Sequence, residues 1–213
     1  MRRGAGVVLL GLSACGGGGG NVPARSLPPP PPGVVESDWR RLATPADRDR
    51  LRRWRDAWVT ALGSARRRAA AEIAAQGPLF ALDAALPGPV PPAGAYRCRV
   101  FKLGATGAGM LDYVAYPWFD CLVSPGAGGD ARLAKLSGSQ RQIGTIHPAD
   151  GMRAAFLGTL MLGDETRPFA YGRDRSRDVA GWVERVGARR WRLAMPYPAF
   201  ESTLDVLELV PAG

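Results

Sequence analysis

The sequence is poor in the side chains on which most hydrolases and metalloenzymes depend. It holds one histidine, His147, and three cysteines, Cys15, Cys98 and Cys121, in 213 residues. One imidazole and so few thiols cannot furnish the four ligands of a typical zinc site. Any Ser–His scheme must run through His147, with Ser139 upstream of it and Asp150 in the following loop. Yet Gly138-Ser139 does not form the G-x-S-x-G elbow that exposes a nucleophile, and His147, directly before Pro148, reads as an exposed strand end. Gly104, Gly107 and Gly109 precede no helix opening, so they make no phosphate-binding loop. Acid pairs such as Asp164 with Glu165, or Glu201 with Asp205, have no diagnostic spacing. The residues therefore nominate no catalytic group, no metal ligand and no cofactor.

Long apolar runs are also missing. A membrane-crossing helix needs about 20 apolar residues, and the run Gly4 to Leu12 has nine. That run nevertheless has a clear reading. Arg2 and Arg3 precede it, and Leu12-Ser13-Ala14-Cys15 follows, which is the secretory order of charge, grease and small cleavage site. The ending resembles the bacterial lipobox. The resemblance implies removal of residues 1–14 and acylation of Cys15, and two or more chains anchor a protein stably. Gly16 stands where an aspartate signals inner-membrane retention, so the expected address is the outer membrane, facing the periplasm.

Lysine is nearly absent as well: Lys102 and Lys135 stand against 26 arginines. Loss of Arg2 and Arg3 with the leader leaves 26 basic against 19 acidic residues. In an exported protein such a surplus points to anionic lipid or another envelope polyanion rather than nucleic acid. Abundant Ala, Gly and Pro alongside Arg also indicate GC-rich codon bias. The remaining cysteines, Cys98 and Cys121, form an even pair in an oxidising compartment. A disulfide between them, worth about 3 kcal/mol on the loop-entropy model, is favoured over two free buried thiols.

Organisation follows from texture. Residues 15–36 combine a five-glycine run with a five-proline run, a tether that cannot bury a core. Residues 37–93 contain a helical segment and a Pro-rich crossing. Thr44-Pro45-Ala46-Asp47 is a helix start, and Gln76-Gly77-Pro78 is a stop. Between them Leu51, Trp54, Trp58, Leu62, Ala65, Ala69 and Ile73 form one apolar stripe, with Gly63 the expected place for a kink. Residues 94–213 read as β, with strands near 95–103, 112–123, 131–137, 140–147, 153–162, 178–187, 189–196 and 203–210. Gly187-Ala188 fits the centre of a two-residue hairpin turn, and Pro148 to Gly151 a short loop. The expected fold is α+β: a long amphipathic helix on an antiparallel meander of about eight strands, closed as a small calycin-like barrel or strongly curved, in one globular unit. Tyr113, Tyr116, Trp118, Phe119, Trp182 and Trp191 then fill a core or line a pocket. Tyr197 and Phe200, in a Pro-stiffened segment, are candidates for a recognition rim.

Five segments resemble an uncharacterised bacterial family catalogued as domain of unknown function 4893. They are Tyr96-Arg97-Cys98-Arg99 with Lys102-Leu103-Gly104; Tyr116-Pro117-Trp118-Phe119-Asp120-Cys121; Lys135 to Arg141; Phe156-Leu157-Gly158; and Glu201 to Val206. The resemblance implies envelope association and supplies no activity. More loosely, two cysteines about two dozen residues apart in a meander are similar to small periplasmic barrel inhibitors of metalloproteases, an analogy of fold only. The expected role is that of a membrane-anchored envelope lipoprotein, non-enzymatic, binding a protein or serving structure. The alternatives are a barrel for a small apolar ligand or lipid, an inhibitor-like module, or a hydrolase using Ser139.

Overall fold

The computed structural model describes Met1 and residues 38–213. Cys15, the tether at 15–36 and the leader beyond Met1 lie outside the described residues. The N-terminal elements are α1 (Trp39–Leu42), α2 (Pro45–Arg52), α3 (Trp54–Ala74) and a 3₁₀ turn, Gly77–Phe80. Nine strands follow: β1 (Gly94–Ala105), β2 (Tyr113–Ala115), β3 (Phe119–Pro125), β4 (Ala131–Lys135), β5 (Gln140–Pro148), β6 (Ala154–Leu162), β7 (Asp178–Gly187), β8 (Arg190–Pro196) and β9 (Ser202–Pro211).

The strands form an antiparallel meander that closes on itself. β9 pairs with β1 along a register running from Tyr96↔Pro211 to Ala105↔Ser202. β2 pairs with the C-terminal half of β1 and β3 with the N-terminal half, so the two share one place in an eight-stranded barrel. Closure removes the open edges that a flat sheet would expose.

Helix α2 begins as its sequence requires. Pro45 occupies the first turn, and the Thr44 hydroxyl accepts from Asp47 N at 3.2 Å. The expected single helix is in fact broken, and not at Gly63. It breaks at Arg53 (φ −91°, ψ 15°) and kinks at Ala69 (φ −137°, ψ 45°). The barrel surface curves, so one straight helix cannot keep its stripe buried. The break divides the stripe: Leu51 joins Trp39 on Ala155, Leu157 and Ala180 of β6 and β7. Trp54, Trp58, Leu62 and Ile73 pack with Phe101, Leu204 and Val206 of β1 and β9.

Strands beneath the helices are buried on both faces, which is why they read as continuous apolar runs. In β1, Cys98 and Val100 point into the barrel, whereas Phe101 and Leu103 face α3. The barrel floor is filled by Tyr96, Phe156, Trp191, Leu193, Leu207 and the Cys98–Cys121 disulfide. Phe156 crosses two facing glycines: a Cβ on Gly144 or on Gly158 would lie 2.7 Å from its ring. Neither position has room for a Cβ, which would also meet the facing backbone at 2.4 Å.

The β7–β8 turn differs from the expected one. Gly187 pairs with Arg190, leaving Ala188 and Arg189 at the centre. A bulge between Arg185 and Gly187 lengthens β7 by one residue and shifts the turn. Asp150 organises the β5–β6 loop as its sequence suggests, its Oδ1 accepting from Met152 N (2.8 Å) and Arg153 N (2.7 Å).

Candidate functional site

Strand parity places the loops 106–112, 136–139, 163–177 and 197–201 at one end of the barrel, here called the mouth. The β1 and β4 positions that face inward at this end are Lys102 and Lys135. They are the chain's two lysines, and both are buried, at 6% and 2% exposure. Buried lysines are rare unless paired, and these two have different surroundings.

Lys102 Nζ lies 3.2 Å from Asp205 Oδ2 on β9 and 3.1 Å from Glu201 Oε2 on the β8–β9 loop. Burial alone would lower the Lys102 pKa, but the two carboxylates outweigh it and hold the ammonium above its ordinary value. Asp205 itself is pushed up by burial, despite Lys102 and the Ser202 hydroxyl that donates to it.

Lys135 has no carboxylate. Its ammonium donates to the carbonyls of Ser137 (2.6 Å) and Gln140 (3.0 Å) and lies 3.7 Å from the centre of the Phe119 ring. Donors are thereby satisfied, but the charge is not neutralised. Burial, reinforced by the nearby Arg141 charge, lowers its pKa to about 8. The turn fits closely over it: Gly138 has φ +88°, and a Cβ there would sit 2.7 Å from Nζ.

Between the lysines lies a cavity of about 150 Å³, walled by Val100, Lys102, Tyr116, Phe119, Lys135 and Gln142. A cavity of roughly that size accommodates benzene in another protein. Gln142 is 3% exposed, and its Oε1 has no hydrogen-bond partner. A buried amide oxygen without a partner costs free energy, and Gln142 is one of the residues lining the cavity. Outside, a groove of about 270 Å³ continues along Met110, Leu111, Val114 and Tyr116, sharing Lys102, Tyr116 and Glu201 with the cavity. Met110, Leu111, Tyr116, Leu136, Phe169 and Phe200 expose large apolar surface on this end. The mouth is therefore a basic floor within an apolar rim.

The residues singled out in the sequence are distributed differently. Phe200 is exposed on the rim, whereas Tyr197 is half-buried under the Arg53 guanidinium, 4.6 Å from its ring. Cys98 and Cys121 are joined, and their bridge lies inside the barrel. Cys15 is outside the described residues. Ser139 lines the mouth, but His147 is at the far end of β5, about 26 Å away at strand rise. The expectation that His147 is exposed is overturned. It is buried on the outer face of β5, with Nδ1 2.8 Å from Asp130 Oδ2. The chain turns Asp130 back over that strand end, which sequence spacing did not show. Ser139, His147 and Asp150 therefore cannot act together. Lys102, Lys135 and Gln142 were missed as a site. The usable signal was the scarcity of lysine at inward-facing strand positions in an arginine-rich chain.

Among the described residues no helix is long and apolar enough to cross a membrane. A family model described as Domain of unknown function (DUF4893) matches residues 39–209. No curated protein and no solved structure matches the chain.

Proposed function

The chain belongs to the DUF4893 family, and we propose that it is a non-enzymatic, ligand-binding barrel displayed at a bacterial membrane through lipid on Cys15. The anchor reading rests on the leader, the lipobox resemblance and the Gly/Pro tether. The ligand reading rests on one observation: both lysines of the chain are buried at the barrel mouth, and one has no counter-charge. A buried cation without a carboxylate is unfavourable for folding. Its retention beside a cavity and an unpartnered Gln142 fits a site that an anionic ligand completes.

The experiment exploits the scarcity of lysine. Protein carrying ¹³Cε-lysine gives two signals, one for Lys102 and one for Lys135. Small anions of graded size, from acetate to citrate, are expected to shift both signals saturably, and Gln142→Leu is expected to weaken the response. Two signals that stay fixed up to high anion concentration refute the reading. For the anchor, a palmitate analogue fed to cells is expected to label the native chain but not Cys15→Ala.

The exposed rim favours a second use of the same end. A protein partner could cover Met110, Leu111, Leu136 and Phe200, as contiguous exposed apolar surface does at interfaces. Crosslinking from position 111 in cells tests it, with Leu111→Ser as the control.

A further inference from the structure

Glu201 is an unusual residue at this site. Its φ is 71°, a left-handed backbone that costs a non-glycine residue about 1 kcal/mol. Tyr197 (φ 49°), at the other end of the same loop, is the other non-glycine residue with positive φ among the described residues. The loop is pinned on both sides, with Tyr197 N donating to Thr203 O (2.8 Å) and Thr106 N to Glu201 O (3.2 Å). The outcome is that the chain holds its own carboxylate against Lys102 at the junction of cavity and groove. That side chain is 45% exposed, whereas Asp205, the other carboxylate on Lys102, is 5% exposed. Asp205 is a fixed partner. Glu201 is held from the solvent side and can swing away.

We propose that Glu201 is an internal stand-in for the ligand, and that the mouth takes a single-chain amphipathic carboxylate. Its head replaces Glu201 on Lys102, and its tail lies along Met110, Leu111, Val114 and Tyr116. The inference rests on the ligand-binding reading above and specifies the ligand. Exchange of one carboxylate for another keeps Lys102 paired throughout, so no buried charge is left uncompensated during the swap. The incoming head also gains what Glu201 does not use: the unneutralised Lys135 charge across the cavity and the Gln142 amide, which can rotate to present its NH₂. The tail covers the exposed Met110 and Leu111 side chains, and each methylene removed from water adds to affinity.

The test compares sodium dodecanoate (below its micellar concentration), dodecanol and acetate on the full chain, by calorimetry and by the two lysine signals. Dodecanoate is expected to bind at least about tenfold more tightly than either comparison compound. Glu201→Gln, which removes the competing charge, is expected to tighten dodecanoate binding by about three- to tenfold. The surface pair Met110→Ser with Leu111→Ser is expected to weaken dodecanoate about tenfold and to leave acetate unchanged. Equal binding of dodecanol and dodecanoate overturns the proposal, as does unchanged or weaker binding by Glu201→Gln. If acetate shifts the lysine signals and dodecanoate binds no more tightly, this proposal fails and the anion-binding reading survives. If no compound shifts either signal, both fall.

Discussion

Two places in this molecule bury positive charge, and they do so in opposite ways. On the outer wall, Arg192 of β8 is fully buried beneath the 3₁₀ turn and α3. Its Nε donates to Glu184 Oε2 (2.7 Å), Nη1 to the carbonyls of Leu79 (2.8 Å) and Ala81 (2.7 Å), and Nη2 to that of Leu82 (3.1 Å). Glu184 is equally buried and also accepts from Arg153 (2.6 Å), while Trp58 lies under the guanidinium. Burial pulls the Arg192 pKa down, and the Glu184 carboxylate opposes it. At the mouth, Lys135 is just as deeply buried and has no anion. The Arg192 cluster pairs its buried cation with a carboxylate and spends the remaining donors on carbonyls, whereas the mouth keeps an unpaired cation, an amide oxygen and a cavity. Satisfied burial fastens the 78–82 segment to the sheet, and unsatisfied burial marks a site.

The largest expected effect tests the fastened side. Arg192→Met leaves Glu184 buried with one cation fewer and takes the guanidinium donors from the carbonyls of Leu79, Ala81 and Leu82. Unfolding in urea is expected to show a loss of about 3–5 kcal/mol. A loss under about 1 kcal/mol would erase the contrast, because the outer pair would then be dispensable. Next in size is the bridge inside the barrel. Cys98→Ala with Cys121→Ala releases the cross-link between β1 and β3 and is expected to cost about 2–4 kcal/mol. An intact mass that does not change by two protons on reduction would remove the bridge from the protein as made.

Much of this architecture is legible in the sequence. The Thr44-Pro45 start, the order of the strands and the bridging pair follow from capping chemistry, alternation and cysteine parity, all of which are local. Barrel closure was one of two readings, since the β1–β9 pairing joins residues about a hundred positions apart and leaves no local mark. The helix break at Arg53 was hidden because it answers the curvature of the wall, not a breaker in the sequence. His147 was misread for a similar reason: Asp130 arrives from a neighbouring turn to cover it. The site was the least legible part. Lys102 and Lys135 are 33 positions apart on strands separated by β3, and the β1–β3 and β3–β4 pairings bring them to one face and one end.

The smaller effects concern the mouth and sharpen the contrast from the other side. Lys135→Met deletes a charge with no partner and keeps much of its volume. Unlike Arg192→Met, it is expected to leave the fold at neutral pH no less stable than the wild type while abolishing the anion response. The pH dependence carries the same sign. Below pH 8 the folded and unfolded chains both hold the Lys135 proton, and its burial destabilises the fold in full. Between about 8 and 10.5 the unfolded chain holds the proton and the folded chain releases it, so stability rises with pH across that window. Lys102 behaves oppositely, since its raised pKa contributes stability that is lost only above its ordinary value of 10.5. The wild type minus Lys135→Met stability difference is therefore expected to become more favourable from pH 8 to 10.5, with the Lys135 ¹³Cε signal titrating near 8. A bound anion supplies the missing counter-charge, so saturation should move that midpoint upward and flatten the slope. A Lys135 midpoint near 10.5 without ligand would mean that its charge is already compensated, and the contrast between the two burials would be lost.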